Sequence, residues 1–153
     1  MHRIPVHQIM TTDVITIHPE AAVNEAAAIM RDLELRRMPV IDEQAQLIGI
    51  VTDSDLREAE SVAQASNSFD PNAEAAWLTV ADVMSRDVVT ICPDATVGQL
   101  ARLLMQHKIG GVPVVERDDS ATLPPRLVGI ITETDIFRMI AEAWEKGNQK
   151  TGE

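Results

Sequence analysis

Two places in the sequence set hydroxyls and a carboxylate in the same short frame: Thr52, Ser54 and Asp55, and again Thr132, Thr134 and Asp135. Each follows an apolar run containing a glycine, Gly49 or Gly129, and precedes residues with helical spacing, so each frame belongs at a strand-to-helix junction. A carboxylate there can accept from two neighbouring hydroxyls of a ligand. Hydroxyls beside the free amides of a helix start suit an anion. The same residues also make ordinary helix caps, which contribute about 0.5 to 2 kcal/mol and require no ligand. Both readings stand at this point.

Other reactive side chains do not assemble. His2, His7, His18 and His107 are scattered, and no His or Cys spacing recommends a metal. Cys92, the one cysteine, sits before Pro93 and reads as a small buried thiol and not as a nucleophile; it excludes an internal disulfide. No phosphate loop ending in Gly-Lys-Ser/Thr occurs, which argues against nucleotide hydrolysis. The expectation is a protein that is not an enzyme and requires no cofactor or metal.

The elements that must position these residues repeat. Met10, Asp13, Val14, Thr16, Ile17 and Pro19 align without a gap with Met84, Asp87, Val88, Thr90, Ile91 and Pro93, and Pro39 and Val40 align with Pro113 and Val114. Leu47, Gly49, Thr52 and Asp55 then match Leu127, Gly129, Thr132 and Asp135. Such internal periodicity is the most informative property of the chain. In each copy a β-branched run (14–17, 88–91) ends at a proline, a helix follows, two further strands surround a turn, and a second helix closes the unit. Thr96 and Gln99 form a capping box at the start of one helix, where the first copy has Ala22 and no cap.

The fold class expected is α/β (α+β), two βαββα repeats packed with pseudo-two-fold symmetry because one small unit leaves an apolar face uncovered. The boundaries read as repeat one over 1–60, a linker over 61–77, repeat two over 78–146 and a disordered tail over 147–153. The stretch 117–126, with Pro124 and Pro125, reads as a surface loop. The methionines read as core, and Phe137, Ile140 and Trp144 either face the core of their own unit or supply an apolar dimer surface.

Acidic residues outnumber basic ones by 24 to 13, a formal charge of −11, which repels polyanions and makes nucleic acid an unexpected partner. The apolar segments are too short for a membrane-spanning helix, and the start of the sequence lacks the apolar stretch of a secretory signal, so the expected location is cytoplasmic.

Taken together, the duplicated Met-Thr/Ser-x-Asp-Val-x-Thr-Ile-x-Pro, Pro-Val-Ile/Val and Leu-x-Gly-Ile-x-Thr-x-Thr/Ser-Asp elements resemble a tandem pair of cystathionine-β-synthase (CBS) domains of the small stand-alone bacterial type. The resemblance implies a regulatory module that binds adenosine-containing ligands (AMP, ADP, ATP or S-adenosylmethionine) in clefts between the repeats, dimerises with a second copy and answers to an effector protein. It implies that Asp55 and Asp135 bond ribose hydroxyls, with Ser54 and Thr134 adding a second hydroxyl beside each, and that Thr52 and Thr132 contact phosphate. Arg37, with Arg36, is expected to serve phosphate in the Asp135 cleft. Repeat two has Gly110 and Gly111 in place of those arginines, leaving Lys108 or His107 for the other cleft. Ile15, Thr16, Met38, Val88, Thr90 and Val112 are the candidates to flank adenine. The alternative is a ligand-free dimeric scaffold.

Overall fold

A computed structural model describes residues 1–66, 78–117 and 123–152. The part of the expected linker at 67–77, the tip of the 117–126 loop and Glu153 lie outside the described residues. The elements run α1 (Val23–Asp32), β1 (Arg37–Ile41), β2 (Leu47–Thr52), α2 (Asp53–Ser66), α3 (Val80–Val83), α4 (Val97–His107), β3 (Gly111–Glu116), β4 (Arg126–Thr132) and α5 (Glu133–Thr151). β1 pairs with β2 antiparallel, Arg37 opposite Thr52 and Pro39 opposite Ile50, and β3 pairs with β4.

The β-branched runs expected as full strands make only one parallel bridge each, Ile17 to Val40 and Ile91 to Val114. The prolines explain why. Ile17 donates to the Pro39 carbonyl (3.1 Å) and accepts from Ile41 (3.1 Å), so the next rungs would need N–H groups from Pro19 and Pro39, which have none. Pro93 and Pro113 impose the same limit around Ile91, which donates to Pro113 and accepts from Val115.

The chain forms two compact units that do not coincide with the two repeats. One contains Met1–Val14 together with Val89–Ala121 and Leu127–Glu153, and the other contains Ile15–Val88 and Thr122–Arg126. Each unit therefore includes the segment that precedes the other unit's repeat. Backbone hydrogen bonds explain the exchange. Thr11 and Ile130 bond reciprocally across the edge of β4, both at 2.9 Å, and Ser85 and Ile50 do so across β2, at 2.9 and 3.0 Å. The uncapped start of α1 is satisfied by Leu78, whose carbonyl accepts from Val23, while Ile4 and His2 accept from Val97 and Gly98 at the start of α4. These contacts satisfy helix amides that have no partner within the helix. The expected Thr96–Gln99 capping box is present as well.

In one unit the core gathers Ile17, Val23, Met30, Met38, Val40, Val51, Leu56 and Val80. In the other it gathers Val6, Ile91, Leu100, Leu104, Val112, Val114 and Ile131. Met1 and Met105 depart from the expectation that methionines are core: both are exposed, Met105 on the outward face of α4. The expected disordered tail is also not seen over 147–151: α5 continues through Thr151, passing Gly147, with Glu145, Lys146, Gln149 and Lys150 around it all good helix formers.

The exchanged segments press on the glycines. A methyl group at Gly49 would lie 2.5 Å from Met84 Sδ and 3.1 Å from the Ser85 carbonyl oxygen, and at Gly129 it would lie 2.7 Å from Met10 Sδ and 3.0 Å from the Thr11 oxygen. Gly49→Ala and Gly129→Ala are each expected to lower stability by about 1 to 3 kcal/mol, read by urea denaturation. Trimming Met84 or Met10 in the same chain should recover only part of the loss, because the backbone oxygen remains in the way.

Candidate ligand-binding site

Both carboxylates stand where the sequence puts them, in the first turn of the helix that leaves the second strand of each hairpin. Asp55 Oδ2 accepts from the Thr52 N–H (3.0 Å), and the Asp55 N–H donates to Thr52 Oγ1 (3.2 Å). Asp135 Oδ2 accepts from the Thr132 N–H (2.8 Å) and from the Thr132 hydroxyl (3.3 Å). Each aspartate therefore caps its own helix, and the capping reading is correct as far as one oxygen of each pair is concerned.

The second oxygens differ. Asp135 Oδ1 accepts from Arg138 Nη1 at 3.2 Å, within a side chain that is only 7% exposed. Asp55 is half-buried, and among the described residues its Oδ1 has no hydrogen-bond partner. The nearest arginine in sequence, Arg57, bonds Asp53 instead, at 3.0 Å. Ser54 and Thr134, one residue before each aspartate, are exposed.

Backbone contacts bring the segments before β1 and β3 to the same junctions. The Arg36 carbonyl accepts from the Asp53 N–H (3.0 Å), and the Gly110 carbonyl accepts from the Glu133 N–H (2.8 Å). Arg36 is exposed and Arg37 is half-buried, its backbone in register with Thr52. Lys108 closes α4 in a left-handed conformation (φ 54°) and is exposed. It lines a groove of about 510 Å³ between α4 and α5, together with Met105, Ile109, Gly110, Glu133 and Phe137.

Of the residues expected to flank a base, Thr16, Val88 and Thr90 keep partial exposure and Ile15 is 43% exposed. Met38 and Val112, both 0% exposed, are core side chains because each occupies an inward position of its strand. The expected burial of Cys92 is not observed. Ile91 takes the inward position beside it and the thiol is exposed. Among the described residues no group of His, Cys, Asp or Glu side chains could hold a metal ion, and no helix is long and apolar enough to cross a membrane. The reading from sequence missed Arg138. Its signal was available, a basic residue three positions after Asp135 where the other repeat has Glu58.

A duplicated hairpin-and-helix unit carrying a capped Thr-x-x-Asp junction in each copy is the arrangement of a tandem CBS module. The chain belongs to the CBS domain family, whose pattern matches residues 6–62 and 80–142. It resembles the crystal structure of the Vibrio cholerae AcuB protein, named for acetoin utilization, at 32% identity over 95% of this chain and 96% of that one, with a TM-score of 0.75. It also resembles a CBS domain pair solved with 5′-methylthioadenosine and S-adenosyl-L-methionine, at 32% identity, 91% and 97% coverage and a TM-score of 0.71. Among curated relatives, a homoserine O-acetyltransferase of Methanococcoides burtonii is 33% identical over 88% of this chain. The chain spans about a quarter of the length of such relatives (24% for that enzyme), so the likeness concerns their CBS portion.

Replacing Asp55 or Asp135 by alanine removes the capping oxygen and is expected to cost about 1 kcal/mol, whereas asparagine, which keeps an acceptor, should cost a few tenths. Chemical denaturation of the four single variants checks this. Equal losses for alanine and asparagine would show that charge and not the cap is what the fold uses.

Proposed function

We propose that the chain is a regulatory module that binds adenosine-containing ligands at one or both Thr-x-x-Asp junctions. The observation that carries this reading is the Asp55 carboxylate, held through Oδ2 by the Thr52 amide at the start of its helix, while among the described residues Oδ1 has no partner and can accept from a ligand hydroxyl. A rigidly held carboxylate matches a vicinal diol without first being ordered. Support comes from the related CBS pair solved with 5′-methylthioadenosine and S-adenosyl-L-methionine. Arg37 is the residue we assign to an anionic tail. Regulation then requires that ligand and effector protein favour the same one of two states of the module.

The test is a thermal-shift panel of AMP, ADP, ATP, S-adenosylmethionine, 5′-methylthioadenosine and adenosine. A ligand at a hundred times its Kd is expected to add about 2.7 kcal/mol of stability. Arg37→Ala should weaken the phosphate-bearing members of the panel and leave adenosine unchanged. No shift from any member would refute the sensor reading.

A second reading, a dimeric scaffold, is favoured by the outward face of α5, where Phe137 and Trp144 are 63% and 68% exposed and Ile140 lies between them. These residues follow one helical stripe, and a stripe of this kind marks an interaction surface. Phe137→Ser with Trp144→Ser is expected to halve the mass measured by light scattering at micromolar concentration without lowering the affinity of any ligand found in the panel. An unchanged mass would exclude this face as the dimer contact.

A further inference from the structure

The two junctions share a backbone and a capping scheme, but they do not offer a ligand the same carboxylate. Among the described residues, Asp55 has one oxygen engaged in the fold and no partner on the other. Asp135 has both engaged, one by the Thr132 backbone and hydroxyl and the other by Arg138, and its side chain is nearly buried. The difference is written in the sequence: the position three residues after the aspartate is Arg138 in one repeat and Glu58 in the other, and a glutamate repels a neighbouring carboxylate where an arginine pairs with it.

From this we infer that Arg138 gates the Asp135 junction, so that a ligand hydroxyl competes with the guanidinium for Asp135 Oδ1, whereas Asp55 Oδ1 accepts without that competitor. The inference rests on the adenosine-ligand reading and adds to it an order of filling: the Asp55 site first, the Asp135 site at higher concentration. The Arg138 side chain is 62% exposed, and pairs of this kind are weak. Displacement is therefore a modest handicap and not a block. Raised salt screens the pair and reduces the handicap.

Adenosine, which has no charge, isolates the hydroxyl contact, and 2′-deoxyadenosine, which lacks one of the two hydroxyls, is the control. Asp55→Asn keeps its cap and leaves the Asp135 junction as the site read by calorimetry. In that background Arg138→Gln is expected to raise adenosine affinity about threefold, the scale of one exposed ion pair. The same change should leave 2′-deoxyadenosine unaffected, and raising the salt concentration should strengthen adenosine binding only while Arg138 is present. A general loosening of the helix would move both nucleosides together, and an arginine that orients the carboxylate for the ligand would give weaker adenosine binding on its removal. Either result overturns the gate while leaving the adenosine reading intact. If neither these nucleosides nor any member of the ligand panel binds the unaltered chain, the reading itself fails and the gate falls with it.

Discussion

An unpaired strand edge is the condition around which this molecule is built. β2 and β4 each present backbone groups at Ile50 and Ile130 that need partners, and a hairpin alone does not supply them. Ser85 and Thr11 do, through reciprocal backbone bonds. Because these partners lie upstream of the opposite repeat, neither repeat is a complete folding unit by itself. Much of the local chemistry follows from this arrangement. Gly49 and Gly129 have no side chain because Met84 and Met10 lie against them, and α1 manages without a side-chain cap because the Leu78 carbonyl takes the Val23 amide.

The prolines set a second limit. With Pro19 and Pro39 unable to donate, residues 14–17 pair with β1 at Ile17 alone, and Pro93 with Pro113 restricts the other copy in the same way. A β-branched run that would otherwise extend the sheet is left with one inward anchor and partly exposed neighbours on the N-terminal side. Thr16 and Thr90 are partly exposed beside that anchor.

The sequence makes the repeat, the helical stripes and the strand-to-helix junctions legible because each depends on residues close together in the chain. The capping box at Thr96 and its absence at Ala22 are of this kind, and so is the position of Asp55 and Asp135 in a first turn. The exchange of N-terminal segments is not, since two similar copies offer equivalent edges and the alignment contains nothing to say which segment closes which edge. The ends of α1 and α4 were hidden for a different reason: Glu34 and Lys108 take the left-handed conformation (φ 54° for both) where glycine would be the usual signal. The outward placement of Cys92 was hidden because a run of Val, Thr, Ile and Cys does not say which alternate positions face inward until its single rung is known.

At the junctions, cap and binding group are not competing descriptions of the aspartate. A carboxylate has two oxygens with several acceptor directions, and a cap consumes only one of them. What the cap adds is position: it holds the second oxygen at a fixed distance from the helix amides, on a strand end that the exchanged segment keeps from fraying. The two copies hold this shared arrangement and then diverge beyond it. The groove between α1 and α2 is lined by Arg31, Glu34, Asp53, Arg57 and Glu60, whereas the matching positions between α4 and α5 include Met105, Lys108, Glu133 and Phe137. Charge has been exchanged for apolar surface on one outward face, and Glu58 for Arg138 beside the carboxylate. A duplicated backbone needs its hydrogen-bonding junctions to be alike, but places no such demand on what the junctions and helices present to a ligand or a partner. The functional differences between the copies therefore belong in those outward substitutions and not in the shared frame.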